Sequence, residues 1–394
     1  MKSFLKRTWA KIDLDNIVYN LKSVRSILSP ETEVMGVVKA DAYGHGDTYV
    51  AHTLEQNGVK WFGVSNIEEA ISLRTSGITG DILIFGKTPV SLASTLYIHN
   101  ITQTVYSKNY ALQLNCEAVR KGIKIKCHLK LDTGMGRIGF LAGDAVRDIS
   151  ILTDVLNLSN LDFGGIFTHF PSADEDTDES RAFTKNEFAL FTEICDRLES
   201  MGIDVGLRHC CNSAGTISFP EMHLDIVRPG VVLYGLSPSH ELAGKMDLKP
   251  AMELFSTISL IKTVDEGCPI SYGRTYKTKS PSKIATIPIG YADGYPRILS
   301  GRSRMLVGGK YAPVVGRVCM DSTMIDITGI DASEGDIVTV FGKNGDNIIS
   351  TDHIADLAGT ICYELVCILG KRVSRVYIQN GRQIAATKYN GVQY

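Results

Sequence analysis

The stretch "VVKADAYGHG", residues 37–46, ends an apolar run on a lysine and follows it at once with small residues, a tyrosine and two glycines around a histidine. An amine held partly out of water loses affinity for its proton and becomes a nucleophile, able to form a Schiff base with a carbonyl compound. Other polar residues break apolar surroundings further on: Arg137 in "DTGMGRIG", His169 in "FTHF", Asn212 and Ser213 in "CCNSAG", Arg228 and Gly230 in "IVRPGVVLYG". The arginines are permanent cations, and at Gly230 no side chain obstructs backbone N–H groups from a phosphate. Taken alone, Lys39 reads as an ordinary solvated lysine at a strand end, so its weight depends on where the others fall.

Their placement follows from the elements that carry them. Eight short apolar or β-branched runs, at 34–39, 61–65, 81–86, 101–106, 125–132, 163–170, 205–212 and 224–230, alternate with segments of helical spacing such as 66–76 and 180–201. Before the first run, Leu14, Ile17, Val18, Leu21, Val24, Ile27 and Leu28 recur at three and four residues, a helix with Asp13 as its cap. Eight β/α alternations match a (β/α)8 TIM-type barrel, which takes ~250 residues, better than an open doubly wound sheet. Such barrels build their sites at the C-terminal ends of the strands. Lys39 ends the first strand, Arg137 follows the fifth, His169 ends the sixth, Asn212 and Ser213 follow the seventh, and Arg228 with Gly230 ends the eighth. Amine, cations and anion-binding turn thus share one rim, the makings of a pyridoxal-phosphate pocket.

Beyond "YGLSPS" the pattern becomes strands split by Gly-rich turns: 254–264, 283–289, 305–307, 311–315, 323–327 and 337–340. The expected division is a barrel over 11–242 and a mostly β domain over 243–394, with residues 1–10 a segment able to pack with the second. A balance of 41 basic against 43 acidic residues leaves no charge excess for nucleic acid or an anionic membrane, and no run approaches the ~20 apolar residues of a membrane helix. The N-terminus lacks the apolar core of a signal peptide, which points to the cytoplasm. Nine cysteines without C-x-x-C spacing fit reduced thiols better than disulfides or a metal site. In "HCC" (209–211) only His209 and Cys211 can share a face, and core packing is the better reading. "GMGRIG" satisfies G-x-G-x-x-G but follows the fifth strand, the wrong place for a dinucleotide loop. "GYADGYPR" (290–297) reads as a turn.

"VVKADAYGHG", "LKLDTGMGRIG", "THF", "NSAG", "IVRPGVVLYG", "SYGRTY", "IPIGYADGYPR", "VGRVCMDSTMID" and "ICYE" occur in the order and approximate spacing of one family. The chain resembles the alanine racemases, fold-type III pyridoxal-phosphate enzymes, over nearly its whole length. The resemblance implies pyridoxal phosphate on Lys39, with Tyr43, Ser213, Gly230, Val231 and Tyr363 at its phosphate. Arg228 would face the pyridine nitrogen with His169 hydrogen-bonded behind it, and Asn212 belongs to the same cofactor-binding group. Arg137 would lie near the ring oxygen and the substrate carboxylate, which the N–H of Met320 also meets, and Lys130 stands where the family can carry a carbamate. Tyr272, from the partner's β domain in a homodimer with shared active sites, would be the second base opposite Lys39. Pro171, Ser172, Arg274 and Ser374 depart from the usual family choices, so the substrate stays a small amino acid: alanine first, serine or a broader set as the alternative. A non-catalytic cofactor-holding barrel would lack the β domain with Tyr272 and Met320.

Overall fold

The computed structural model describes residues 4–387. Eight strands run parallel: β1 (Glu33–Val37), β2 (Trp61–Val64), β3 (Asp81–Ile84), β4 (Ile101–Val105), β5 (Ile125–Asp132), β6 (Leu161–Phe167), β7 (Leu207–His209) and β8 (Ile226–Val227). From β1 to β7 each strand pairs with the next in sequence, and β8 returns to β1 through Ile226↔Glu33 and Val227↔Val34. Backbone bonds from Asp225 N–H to Arg208 O (3.2 Å) and from Arg228 N–H to Cys211 O (2.9 Å) bring β8 to β7, completing a nearly closed barrel. A parallel strand is covered on both faces, which is why these segments read as continuous apolar runs rather than alternating ones. Met35, Leu83, Phe167 and Ile226, from β1, β3, β6 and β8, pack together inside with Trp61, Phe85 and Leu207 against them.

The helices between strands start where short polar side chains cap them. Asn66 accepts the Glu69 N–H ahead of Ile67–Ser76, Ser107 that of Tyr110 ahead of Lys108–Lys121, and Thr177 that of Ser180 ahead of Asp178–Ser200. The N-terminal helix, Leu14–Arg25, has Asp13 Oδ1 accepting the Asn16 N–H at 3.2 Å. Among the described residues no helix is long and apolar enough to cross a membrane.

The chain divides into two compact units: the barrel unit, 17–42 with 47–249, and a mostly β unit, 1–16 with 43–46 and 250–394. In the β unit Thr8–Asp13 is an interior strand, antiparallel to Met252–Thr257 and parallel to Ser374–Gln379. It straddles the domain boundary expected at residue 11. The run expected as one strand over 254–264 breaks at Ile258 and Ser259, and its second half, Leu260–Val264, joins a separate sheet with Ser282–Ile287 and Thr323–Asp326.

Residues 43–46, "YGHG", also belong to the β unit, and their glycines answer a packing need. A Cβ on Gly44 would lie 2.2 Å from Val366 O, and one on Gly46 1.8 Å from the Tyr377 hydroxyl. Arg375 Nε donates to Gly44 O at 3.0 Å.

"GYADGYPR" proves to be a scaffold. Asp293, fully buried, accepts from Arg7 Nη2 at 2.5 Å and from the Gly290 N–H at 3.0 Å, with Arg372 Nε 3.5 Å away. The same turn props the next loop, the Tyr291 N–H donating to Cys319 O and the Ala292 N–H to Met320 O. Asp293→Ala removes the buried anion and leaves the Gly290 N–H without its acceptor, while Arg7 keeps Pro288 O and some solvent, so a stability loss of about 1–3 kcal/mol is expected, read as a lowered urea midpoint at unchanged slope. A midpoint equal to wild type would show that the pair does not hold this turn.

Candidate active site

Alternation puts His128, Lys130 and Asp132 of β5 on one face of the strand, and all three are buried. Across the barrel, Arg228 follows β8 and is also buried. Its Nη2 donates to Thr168 O (2.8 Å) and Cys210 O (2.9 Å), and its Nη1 to His209 Nδ1 (2.9 Å). A guanidinium cannot accept, so His209 Nδ1 is the acceptor and its proton sits on Nε2. That proton is donated to His128 Nδ1 at 2.9 Å. Burial first, and Arg228 second, push His128 down to about 3 and hold His209 well below the usual imidazole range. Burial lowers Arg228 only to about 10, so it stays a cation at neutral pH backed by two neutral rings.

His169, expected behind Arg228, is 3.4 Å from Nη2, whereas His209 makes the short bond. Burial and then Arg228 keep His169 neutral as well. Core packing therefore describes where His209 lies but misses its work, which is to orient the arginine. The Phe167 ring stacks on His209 at 4.7 Å, with Arg228 5.5 Å and Lys130 5.6 Å from its centre.

Lys130 Nζ donates to Leu131 O. Burial, with help from the Arg228 charge, lowers its pKa to about 7, so near neutrality ammonium and amine coexist. The following loop carries Arg137, which is exposed. Asp132 Oδ1 accepts the N–H groups of Gly134 (3.2 Å) and Gly136 (3.0 Å), so those donors serve the loop itself. This is the physical answer to the G-x-G-x-x-G pattern.

Lys39 comes two residues after β1 and is half-buried. Ala40, Asp41, Ala42 and Tyr43 all have φ between 52° and 54°, a left-handed turn built from residues with side chains. Such backbone costs roughly 1–2 kcal/mol per residue, so something must hold it. The Glu69 carboxylate does part of this by accepting the Ala40 N–H (2.9 Å) and the Ser65 N–H at the end of β2 (2.7 Å). Asp41 Oδ1 accepts the Asp47 N–H at 3.0 Å. Nothing in the sequence reading singled out Glu69; an acid in the first turn of the helix after β2, level with the Lys39 rim, was the available signal.

Asn212 spends its amide on structure: Oδ1 accepts the Gly215 N–H (2.9 Å) as a helix cap and Nδ2 donates to Phe170 O (3.0 Å). Ser213 Oγ accepts the Gly230 N–H at 2.8 Å, which leaves the hydroxyl proton for another acceptor. The Gly230 donor, expected to be unobstructed, is thus engaged. Val231 opens the turn Val231–Tyr234, whose Tyr234 hydroxyl donates to Val37 O at 2.8 Å and ties the turn to β1.

In the β unit, Tyr43 and Tyr363 lie with ring centres 6.1 Å apart, and burial pushes the Tyr43 phenol up, so it is a protonated donor. Tyr272 is 70% exposed on a turn in which Ser271 (φ 66°), Gly273 (φ 71°) and Arg274 (φ 51°) are left-handed. Ser271 Oγ fixes the turn by donating to Arg317 O at 2.6 Å. Tyr272, Cys319 and Met324 help line a cleft of about 580 Å3. Met320 is exposed on the loop that "GYADGYPR" supports, with Asp321 beside it bonded to Arg372 at 2.7 Å.

The nearly closed barrel with its cationic rim, followed by a β unit, defines a two-unit β/α-barrel enzyme. The model of the alanine racemase N-terminal domain matches residues 12–238 and that of the alanine racemase C-terminal domain residues 251–377. Alanine racemase 1 of Clostridium acetobutylicum is 43% identical over 387 residues, 98% of this chain and 99% of its own. The alanine racemase of Clostridium tetani is 44% identical over 392 residues, 99% of this chain and 100% of its own. Among solved structures, alanine racemase from Clostridium difficile 630 has a TM-score of 0.92 at 39% identity, covering 98% of this chain and 100% of that one. The Bacillus anthracis alanine racemase with bound L-Ala-P has a TM-score of 0.92 at 34% identity, covering 98% and 99%. The chain belongs to the alanine racemase family.

Proposed function

We propose that this protein interconverts L- and D-alanine with pyridoxal phosphate held on Lys39. The observation that carries the reading is Arg228, a buried cation whose bonds to His209 and three backbone and ring acceptors fix it on the rim that also bears Lys39. The residues present fit the cofactor: an amine for its aldehyde, the spare Ser213 hydroxyl proton and the first N–H groups of the Val231–Tyr234 turn for its phosphate, and a donor that cannot lose its charge for its ring nitrogen. Tyr43 and Tyr363 are proposed as further phosphate ligands on the strength of the family match. When bound, pyridoxal phosphate supplies an electron sink that acidifies the α-proton of an attached amino acid.

The chain's own residues then handle protons and charge. Racemisation removes a proton from one face of the α-carbon and returns one to the other, which suits two bases on opposite sides: Lys39 Nζ and the Tyr272 hydroxyl of a second copy. Because Arg228 is backed by neutral histidines, it offers the ring nitrogen a hydrogen bond and not a proton, and this limits side reactions. Arg137 and the Met320 N–H are proposed to bind the substrate carboxylate. The neutral amine of Lys130 can bond the carbon of CO2 and release a proton, and the resulting carbamate would steady Arg137.

Loss of optical rotation from L-alanine, with L-serine run beside it, tests the reading. An extra hydroxyl is a weak discriminator, so kcat/KM for alanine is expected to exceed that for serine by about 10- to 200-fold. No change in rotation with alanine would overturn the function, and a higher kcat/KM for serine would overturn the ranking.

A further inference from the structure

Glu69 stands in the first turn of the helix Ile67–Ser76, whose cap Asn66 accepts the Glu69 N–H. An acid at this place serves its own helix by reaching back to an N–H at the helix start, for which one oxygen is enough. Oε2 does this, accepting the Ser65 N–H at 2.7 Å. The other oxygen leaves the helix: Oε1 accepts the N–H of Ala40, on the peptide that follows Lys39, at 2.9 Å. The first bond holds the carboxylate still for the second.

The peptide before Lys39 is held as well, by the Val38 N–H on Gly63 O at 3.0 Å. Lys39 is therefore suspended between two bonds to the end of β2 and the helix it leads into. The two bonds work against different loads. Val38 continues the pairing of β1 with β2, whereas Ala40 opens the left-handed run in which each side chain resists the backbone. Farther along, the Ala42 N–H on Val38 O (2.9 Å) and the Asp47 N–H on Asp41 Oδ1 (3.0 Å) close the turn on itself. Glu69 is what grips the peptide between Lys39 and Ala40.

We propose that Glu69 is a positioning residue for Lys39, keeping its amine in reach of the α-proton on one face of the substrate. The inference rests on the reading of Lys39 as the cofactor's lysine and a base. While Lys39 is bonded to the cofactor, that bond aims its amine. Once the substrate's amine has taken that place, Lys39 is aimed through its backbone alone, and a base displaced from hydrogen-bond reach loses rate steeply. Tyr272 sits on a turn fixed by Ser271 and makes no use of Glu69, so the two faces respond unequally.

Glu69→Met keeps the length of the side chain and the helix but removes both acceptors. Two readouts on the holoenzyme follow. In amide hydrogen–deuterium exchange, residues 38–42 should exchange faster than in wild type while 125–132 in β5 keeps its rate. With alanine in D2O, racemisation should fall about 10-fold, the worth of one charge-assisted bond, and exchange of the D-alanine α-proton should fall with it because both need Lys39. L-Alanine should still give its α-proton to Tyr272, so its exchange without inversion should rise relative to racemisation. A purely structural loss of working sites would leave that ratio at the wild-type value. Glu69→Gln, whose single oxygen can serve either N–H, should fall between wild type and Glu69→Met, and it carries the test if Glu69→Met does not fold. Unchanged exchange over 38–42, faster exchange spread equally over 125–132, or an L-alanine ratio equal to wild type overturns the inference. The amide arm needs no turnover, so a loosened 38–42 segment in a protein that never acts on alanine would count against the functional reading alone.

Discussion

Lys39→Ala leaves a folded protein with no yellow colour and no measurable racemisation. The lysine is half-buried beyond β1, and its replacement removes neither the Glu69 bonds to Ala40 and Ser65 nor any core side chain, so the barrel persists. What is lost is the covalent tether and one of the two bases. Loss of the base alone is worth about 10^2- to 10^4-fold, and loss of the tether multiplies that. In the wild type, borohydride should bleach the colour and fix the cofactor to a single peptide, the one containing Lys39. Recovery of the label on Lys130, the other amine near the rim, would refute the assignment.

Tyr272→Phe should keep its colour and still exchange the α-proton of D-alanine with solvent deuterium through Lys39, while racemisation drops by about 10^2- to 10^4-fold. Its phenol is largely exposed on a turn held by Ser271 rather than by the ring, so the substitution leaves the β unit's packing intact. If the second base comes from the partner of a two-fold dimer, Lys39→Ala and Tyr272→Phe subunits complement each other. Free exchange makes about half of the dimers mixed, and each mixed dimer has one intact site of two, so about one quarter of wild-type activity returns. With subunit exchange verified by mass tags, no recovery would place both bases on one chain.

The barrel was legible because its strands are covered on both sides: "VMGVV", "WFGV" and "ILIF" run without charge or alternation, and eight such runs alternating with helical segments match a barrel of this length. The order of rim residues followed from the strand count alone. Other features were hidden for identifiable reasons. Thr8–Asp13 is a single short strand whose partners begin 244 and 366 residues later, at Met252 and Ser374, so no local pattern betrays it. Nothing local in "YGHG" says why its glycines are bare: Val366 and Tyr377, far along the chain, are what their α-carbons accommodate. His209 reads as core packing from sequence because a buried strand histidine looks the same whether it fills space or bonds a guanidinium.

The position of Thr8–Asp13 sets a schedule for synthesis. Thr8–Asp13, an interior strand of its sheet, is translated before the barrel unit, and both of its neighbours, Met252–Thr257 and Ser374–Gln379, after it. Residues 17–249, nearly all the barrel unit, can emerge and close while both edges of that strand, with Trp9, Ala10 and Ile12 along it, have no native partner yet made. An unpaired apolar strand is a template for other chains. The nascent protein is therefore most exposed to misassembly after its barrel has formed, and a truncation just before Ser374 should aggregate although every residue of the barrel is present.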